Sequence, residues 1–159
     1  MGSFSIWHWL IYIIIALPGF LPIFIKPSGA NRFGAPAQSV SFSQAFVRCM
    51  AGYVKFTGRA ARSEYWWFYL ATFVIGFVVS FVVSFVSAAS HITAPPIGLV
   101  VTLLFLLPTL AAGSRRLHDI NRSGWWLLLL LTGLGAISLI VLFAWPSQKD
   151  DPVRVANVF

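Results

Sequence analysis

Only two carboxylates, Glu64 and Asp119, occur between the N-terminus and Trp145, and each sits in an arginine-rich cluster that ends in paired tryptophans. The clusters read "GRAARSEYWWF", Gly58 to Phe68, and "RRLHDINRSGWWL", Arg115 to Leu127. A carboxylate pair of this kind is the one constellation here that suits acid–base work on a lipid headgroup. His118 and Asp119 are adjacent, so on a helix they point about 100° apart and form no orienting dyad. His8, His91 and His118 fall in separate segments, which leaves no three-ligand metal set, and Cys49 as the single cysteine allows neither an intramolecular disulfide nor a thiolate cluster. Ser80 and Ser84 have no basic partner in their apolar run. With no nucleophile–base pair and no metal constellation, the chain reads as a non-enzyme with no cofactor. The chemistry that remains is charge pairing and anion binding. Arginine grips phosphate bidentately and indole sits at the headgroup boundary. Arg59, Arg62, Trp66, Trp67, Arg115, Arg116, Arg122, Trp125 and Trp126 are therefore the expected lipid- or partner-binding residues. Glu64, Asp119 and His118 form the expected charge-pairing set. On a helix Asp119 is within reach of Arg115 and Arg116 at spacings of four and three. The favoured alternative crosses helices, Asp119 to Arg59 or Arg62 and Glu64 to Arg115 or Arg116.

The elements that must carry these clusters are apolar. Of 159 residues, 58% are hydrophobic, 16% aromatic and only 9% charged, with a mean hydropathy of +0.84, a mixture that a soluble domain cannot cover. A spanning helix needs roughly 20 apolar residues, and four runs qualify: Phe4 to Ile25, Tyr65 to Ser87, Ile97 to Ala112 and Trp125 to Trp145. Pro18, Gly19 and Pro22 should kink or shorten the first, so it either spans or lies in the interface. Gly76, Ser80 and Ser84 give the second a small-residue stripe suited to close helix contact. Pro108 interrupts the third near its end, and Gly133 and Gly135 fall in the fourth.

Charge placement orients these runs. The net charge is +7, yet nucleic-acid binding is not expected, because the cations lie between apolar runs instead of on a soluble basic face. Lys26, Arg32, Arg48, Lys55, Arg59 and Arg62 precede the second run; Arg115, Arg116 and Arg122 lie between the third and fourth. Alternating spans put residues 26–63 and 113–123 on one side, which the positive-inside rule makes cytoplasmic, with both termini outside. After the turn-rich loop "PSGANRFGAPAQ", the stretch Ser41 to Phe56 repeats Phe42, Phe46, Cys49, Met50 and Tyr53 at helical spacing. Ser41 and Gln44 suit a capping box, and Gly58 should break the helix before the second span. It reads either as an interfacial amphipathic helix or as a short helix packed on the other loop. The expected fold is all-α: an integral membrane helical bundle of three to four transmembrane helices plus that cytoplasmic interfacial helix. Its layout is an N-terminal helix and loop over 1–40, a core with three transmembrane helices over 41–145 and a short polar tail over 146–159.

The motifs "F-x-G-R-A-x-R-S-E-Y-W-W-F" and "P-x-L-A-x-x-x-R-R-L-H-D-x-x-R-S-G-W-W" resemble the domain-of-unknown-function 805 family, the YhaH-like small bacterial inner-membrane proteins. The resemblance covers about Phe42 to Trp145 and runs from Phe56 to Phe68 and from Pro108 to Trp126. It implies a multi-pass inner-membrane protein and supplies no activity. Members often end in a tail like "G-x-N-R-F-G-P-D-P", whereas here "SGANRFGAPA", Ser28 to Ala37, follows the first apolar run. The opening "MGSFSIWHWLI" is similar to the start of the small twin-arginine translocase subunit, but no "F-G-x-x-K-L-P" hinge follows, which argues against a translocase. The expected function is a non-catalytic module that binds anionic lipid headgroups, a membrane partner or a second copy through an Arg/Trp rim. A small transporter or channel subunit is the alternative.

Overall fold

The structure, a computed structural model, describes residues 31–90 and 96–148 and, before Asn31, positions 6–8, 10–11, 14, 24–25, 27 and 29. Whether residues 4–25 span, and how the tail from 149 onward is placed, therefore lie outside the described residues. Every regular element among the described residues is helical: α1 (Phe42–Ala51), α2 (Arg62–Ser90), α3 (Ile97–Asp119), a 3-10 segment (Gly124–Thr132) and α4 (Leu134–Ala144).

Helix α1 opens with the expected capping box, the Ser41 amide donating to Gln44 Oε1 at 3.2 Å. It ends at Ala51, five residues before the expected Phe56, because Gly52 caps it and donates to the Arg48 carbonyl. Ala45 and Cys49, one turn apart, are its buried positions, and Val40 ahead of it donates to Ser63 Oγ at 2.9 Å.

Helices α2 and α3 are each long and apolar enough to cross a membrane. Their 29 and 23 residues correspond to about 43 and 34 Å of helix against a hydrocarbon core of about 30 Å. The α2 helix exposes Phe73, Phe77, Phe81 and Phe85 at spacing four, an apolar stripe facing away from the protein. The small-residue stripe is used for close contact at Ser80, whose Oγ lies 3.1 Å from where a Cβ on Gly98 of α3 would stand.

Helix α3 runs through Pro108 and on past Ala112 to Asp119 without a break. Proline has no N–H for the carbonyl four residues earlier, here that of Leu104. Tyr53, reaching over from beyond α1, donates its hydroxyl to that carbonyl at 2.5 Å. An orphan acceptor in an apolar helix thereby has a partner, which permits a proline in the middle of a membrane-length helix.

The fourth apolar run departs from its expected single span. The 3-10 segment of nine residues is about 18 Å long and the eleven residues of α4 about 16 Å, each near half of the hydrocarbon thickness. Between them Gly133 adopts φ +68°, in the left-handed region that favours glycine. The turn packs closely: a Cβ on Gly135 would lie 2.4 Å from the Leu129 carbonyl oxygen. The run doubles back there. A Cβ on Gly113 of α3 would meet Leu127 Cδ2 at 3.2 Å and Phe143 Cζ at 3.5 Å, so both arms of the hairpin reach the same level of α3. Residues 145–148 thus leave at the arginine end of α3, not at the far end where four alternating spans would put them. The core where the elements meet includes Cys49, Tyr65, Phe68, Leu117, Leu139, Leu142 and Phe143.

The arginine rim as candidate functional site

Two short apolar-to-polar transitions, the start of α2 and the end of α3, bring the two motif clusters together. Asp119 takes both of its oxygens into ion pairs: Oδ1 accepts from Arg59 Nε at 3.0 Å and Oδ2 from Arg116 Nη1 at 2.5 Å. The pairing is thus both local along α3 and across elements, and the side chains of all three residues are 0% exposed. Glu64 accepts from Arg115 Nη1 at 2.5 Å. Each of the three buried guanidinium groups thus has a carboxylate partner, Asp119 serving two of them, where an unpaired charge would be costly.

The arginines also tie down backbone. Arg116 Nε donates to the Phe143 carbonyl at 2.9 Å and its Nη2 to that of Trp145, so this side chain caps the C-terminal end of α4. Arg59 donates from Nη2 to the Gln148 carbonyl at 2.8 Å, and the Gln148 amide donates to the Asp119 carbonyl at 3.2 Å. The hairpin's exit is therefore fastened to the ion-pair lock at several points. Ala60 N donates to the Arg115 carbonyl at 3.0 Å, which fixes the approach to α2 against α3. In the second motif, Gly124 allows the loop to pass α3, since a Cβ there would stand 2.2 Å from Ser114 Oγ.

Beside the Glu64–Arg115 pair lies Cys49, fully buried, with Sγ 3.7 Å from Arg115 Nη2 and 3.9 Å from Glu64 Oε1. Burial, and then the Glu64 carboxylate, push its thiol up to about 11, so it stays protonated and is a poor nucleophile. Burial also lowers Arg122 from its ordinary value; its Nη2 donates to the Ile25 carbonyl.

The expected binding residues therefore divide. Arg59, Arg115 and Arg116 each pair with a carboxylate, and Arg59 and Arg116 also donate to backbone carbonyls. Among the described residues no carboxylate pairs with His118. Its Nδ1 lies 3.1 Å from the Gly58 carbonyl and its ring stacks on Phe33, with centroids 3.9 Å apart and 5° between planes. Trp126 packs half-buried against the core, while Trp125 is 78% exposed. Arg62 is exposed, and no carboxylate pairs with it among the described residues.

Arg62, Ser63 and Ser39 form the polar end of a groove of about 970 Å³ whose α2 wall continues through Trp66, Trp67, Leu70 and Phe73. Ala144 and Ser147 close it from the hairpin's exit. From Arg62 to Phe73 the wall rises about 16 Å along α2, from charge through indole to hydrocarbon. Reading α2 alone points to Arg62 and the tryptophans, but the opposite wall depends on the unexpected return of α4. Asn31 and Phe33 lie in the tail-like stretch SGANRFGAPA and Tyr53 in the helical repeat, yet nothing in those patterns says what they touch, and Gln148 carries no motif signal; Pro108 is the sign that some donor must reach Leu104. No three His, Cys, Asp or Glu side chains gather as a metal site among the described residues.

Comparison with known proteins places these features. The inner membrane protein YhaI of Escherichia coli strain K12 is 35% identical over 101 residues, covering 63% of this chain and 82% of YhaI. YhaH of the same strain, also named an inner membrane protein, is 35% identical over 102 residues, covering 62% of this chain and 81% of its own length. No solved structure matches. The model of the DUF805 family, described as proteins of unknown function, matches residues 53–152, which include both clusters and the hairpin. With its two membrane-length helices, the chain is an inner-membrane protein and belongs to the DUF805 family.

Proposed function

We propose that this chain is a non-catalytic inner-membrane module that holds one anionic phospholipid in the groove headed by Arg62, at the cytoplasmic side that the positive-inside rule assigns to the rim. The observation that carries the reading is the contrast among the arginines. Arg59, Arg115 and Arg116 are each paired with a buried carboxylate, while Arg62 is left exposed at the polar end of a groove whose wall becomes apolar through Leu70 and Phe73. Ser39, Ser63 and Ser147 add hydroxyl groups around the same opening. A phosphate held by the Arg62 fork, with its acyl chains along Leu70 and Phe73, would satisfy charge and hydrocarbon together.

Native mass spectrometry of the purified chain, delipidated and then offered phosphatidylglycerol or phosphatidylcholine, tests this. Phosphatidylglycerol should be retained preferentially. Arg62→Gln should weaken that retention about tenfold, the equivalent of one charge-assisted hydrogen-bonded contact, and Arg48→Gln on exposed α1 should leave it unchanged. Equal retention of the two lipids by the unaltered protein would reject the reading.

A further inference from the structure

The lipid groove leaves one feature of the rim unused: the loop Asn31–Gly34 seated over the C-terminal end of α3. The last carbonyls of a helix have no partner within it. Here the carbonyls of His118 and Asp119 accept from the Asn121 amide at 3.0 Å and the Gln148 amide at 3.2 Å, and Asn31 Nδ2 adds a second donor to each, at 2.8 and 3.2 Å. Its Oδ1 accepts from the Phe33 amide at 2.9 Å, which curls the loop so that the Phe33 ring lies flat on His118. The Arg32 amide donates to Asn121 Oδ1 at 3.4 Å, and the guanidinium of Arg32 lies 5.0 Å from the centroid of the Phe33 ring. Gly34 has φ +98°, and its carbonyl accepts from Arg59 Nη1 at 3.2 Å.

The walls of the seat are tied to one another as well as to its occupant. They are Gly58, Arg59, His118 to Asn121 and Gln148, which are held to each other by the Arg59–Asp119 pair and by the Gln148-to-Asp119 and Arg59-to-Gln148 hydrogen bonds. The occupant is followed by the exposed residues Ala35, Pro36, Gln38 and Ser39, and ahead of it the Gly29 carbonyl accepts from Gln148 Nε2 at 2.6 Å. Each contact also needs a particular side chain: an amide to give two hydrogen bonds, an aromatic ring to stack, and a glycine for the left-handed turn.

We propose that the end of α3 is a peptide-recognition site for segments of the form Asn-x-Phe-Gly, and that Asn31–Gly34 fills it as a tethered ligand. A tether supplies an effective concentration in the millimolar range, so a four-residue contact of modest strength keeps the site occupied in cis. A free peptide competes with it only at millimolar concentration, and at lower concentration once the tethered copy is weakened. The proposal is independent of the lipid groove.

The test uses the full chain in detergent and a fluorescent peptide, SGANRFGAPA, spanning Ser28 to Ala37. Peptide binding, read by anisotropy, should be at least about tenfold tighter for the Asn31→Ala, Phe33→Ala double variant than for the unaltered chain. The same peptide with alanine at its Asn and Phe should not bind. Failure of the double variant to bind peptide, with its helical circular dichroism intact, would overturn the proposal. A second measurement avoids any folding defect of the variant. A peptide with a photoreactive phenylalanine at the Phe33 position, in millimolar excess over the unaltered chain, should cross-link within residues 115–122. Absence of that cross-link, or its appearance elsewhere, would equally overturn it.

Discussion

Asp119 is the residue on which the rim turns. Its two oxygens hold Arg59 and Arg116, and those arginines hold the carbonyls of Gln148, Phe143 and Trp145. Asp119→Asn leaves two buried guanidinium groups short of their counter-charge and is expected to destabilise the protein by about 3–5 kcal/mol, read as a loss of midpoint in denaturant. Arg62→Gln, which breaks no ion pair among the described residues, should change stability by less than about 0.5 kcal/mol while weakening lipid retention. That contrast separates a structural arginine from a binding one. Cys49 offers a pH prediction at the same scale. Its folded value of about 11 lies above its unfolded value near 9.0, so folding favours the protonated thiol. The contribution is complete below pH 9.0 and is lost as the pH rises through about 11. Alkylation of Cys49 at pH 8 should accordingly be slow in the folded protein and become rapid on unfolding, as mass spectrometry of maleimide adducts would report.

Two elements depend on local exceptions to their own geometry. In α3 the exception is Pro108, and the Tyr53 hydroxyl supplies what the missing N–H cannot. Tyr53→Phe should cost about 1–3 kcal/mol, the penalty of an acceptor left without a donor on a face of α3 that no water reaches in the bilayer. In the hairpin the exception is the turn at Gly133 to Gly135. A methyl group at position 135 would stand 2.4 Å from the Leu129 backbone oxygen. Gly135→Ala should therefore cost about 1–3 kcal/mol by overpacking and loosen the return of α4, measurable as faster proteolysis after residue 144. These elements also show why some of the fold was legible beforehand. Membrane length, apolar composition and capping signals are written along contiguous residues, so α1, α2 and α3 could be read, though α1 ends five residues early and α3 seven residues late. The hairpin is not contiguous information: the run from Trp125 to Trp145 has the length and hydropathy of a span, and only its glycines and its tie to Arg116 distinguish a return from a crossing.

At the scale of the molecule, the two motif clusters and the residues after α4 form one rim around two membrane-length helices. Pairing of Glu64 and Asp119 with arginines across elements was an economical reading of a sequence with so few acids. Which arginines would be spent inside the protein and which left outside was not readable, because burial depends on where Gln148 and Asn31 come to rest. Labelling of a Ser147→Cys variant by a membrane-impermeant maleimide tests this arrangement most directly, with Ser39→Cys marking the rim and Ala88→Cys the far end of α2. Buried Cys49 should stay silent in every sample. Ser147→Cys is predicted to react in the same membrane orientation as Ser39→Cys; reaction together with Ala88→Cys would mean that the last apolar run crosses the bilayer, contradicting a single rim.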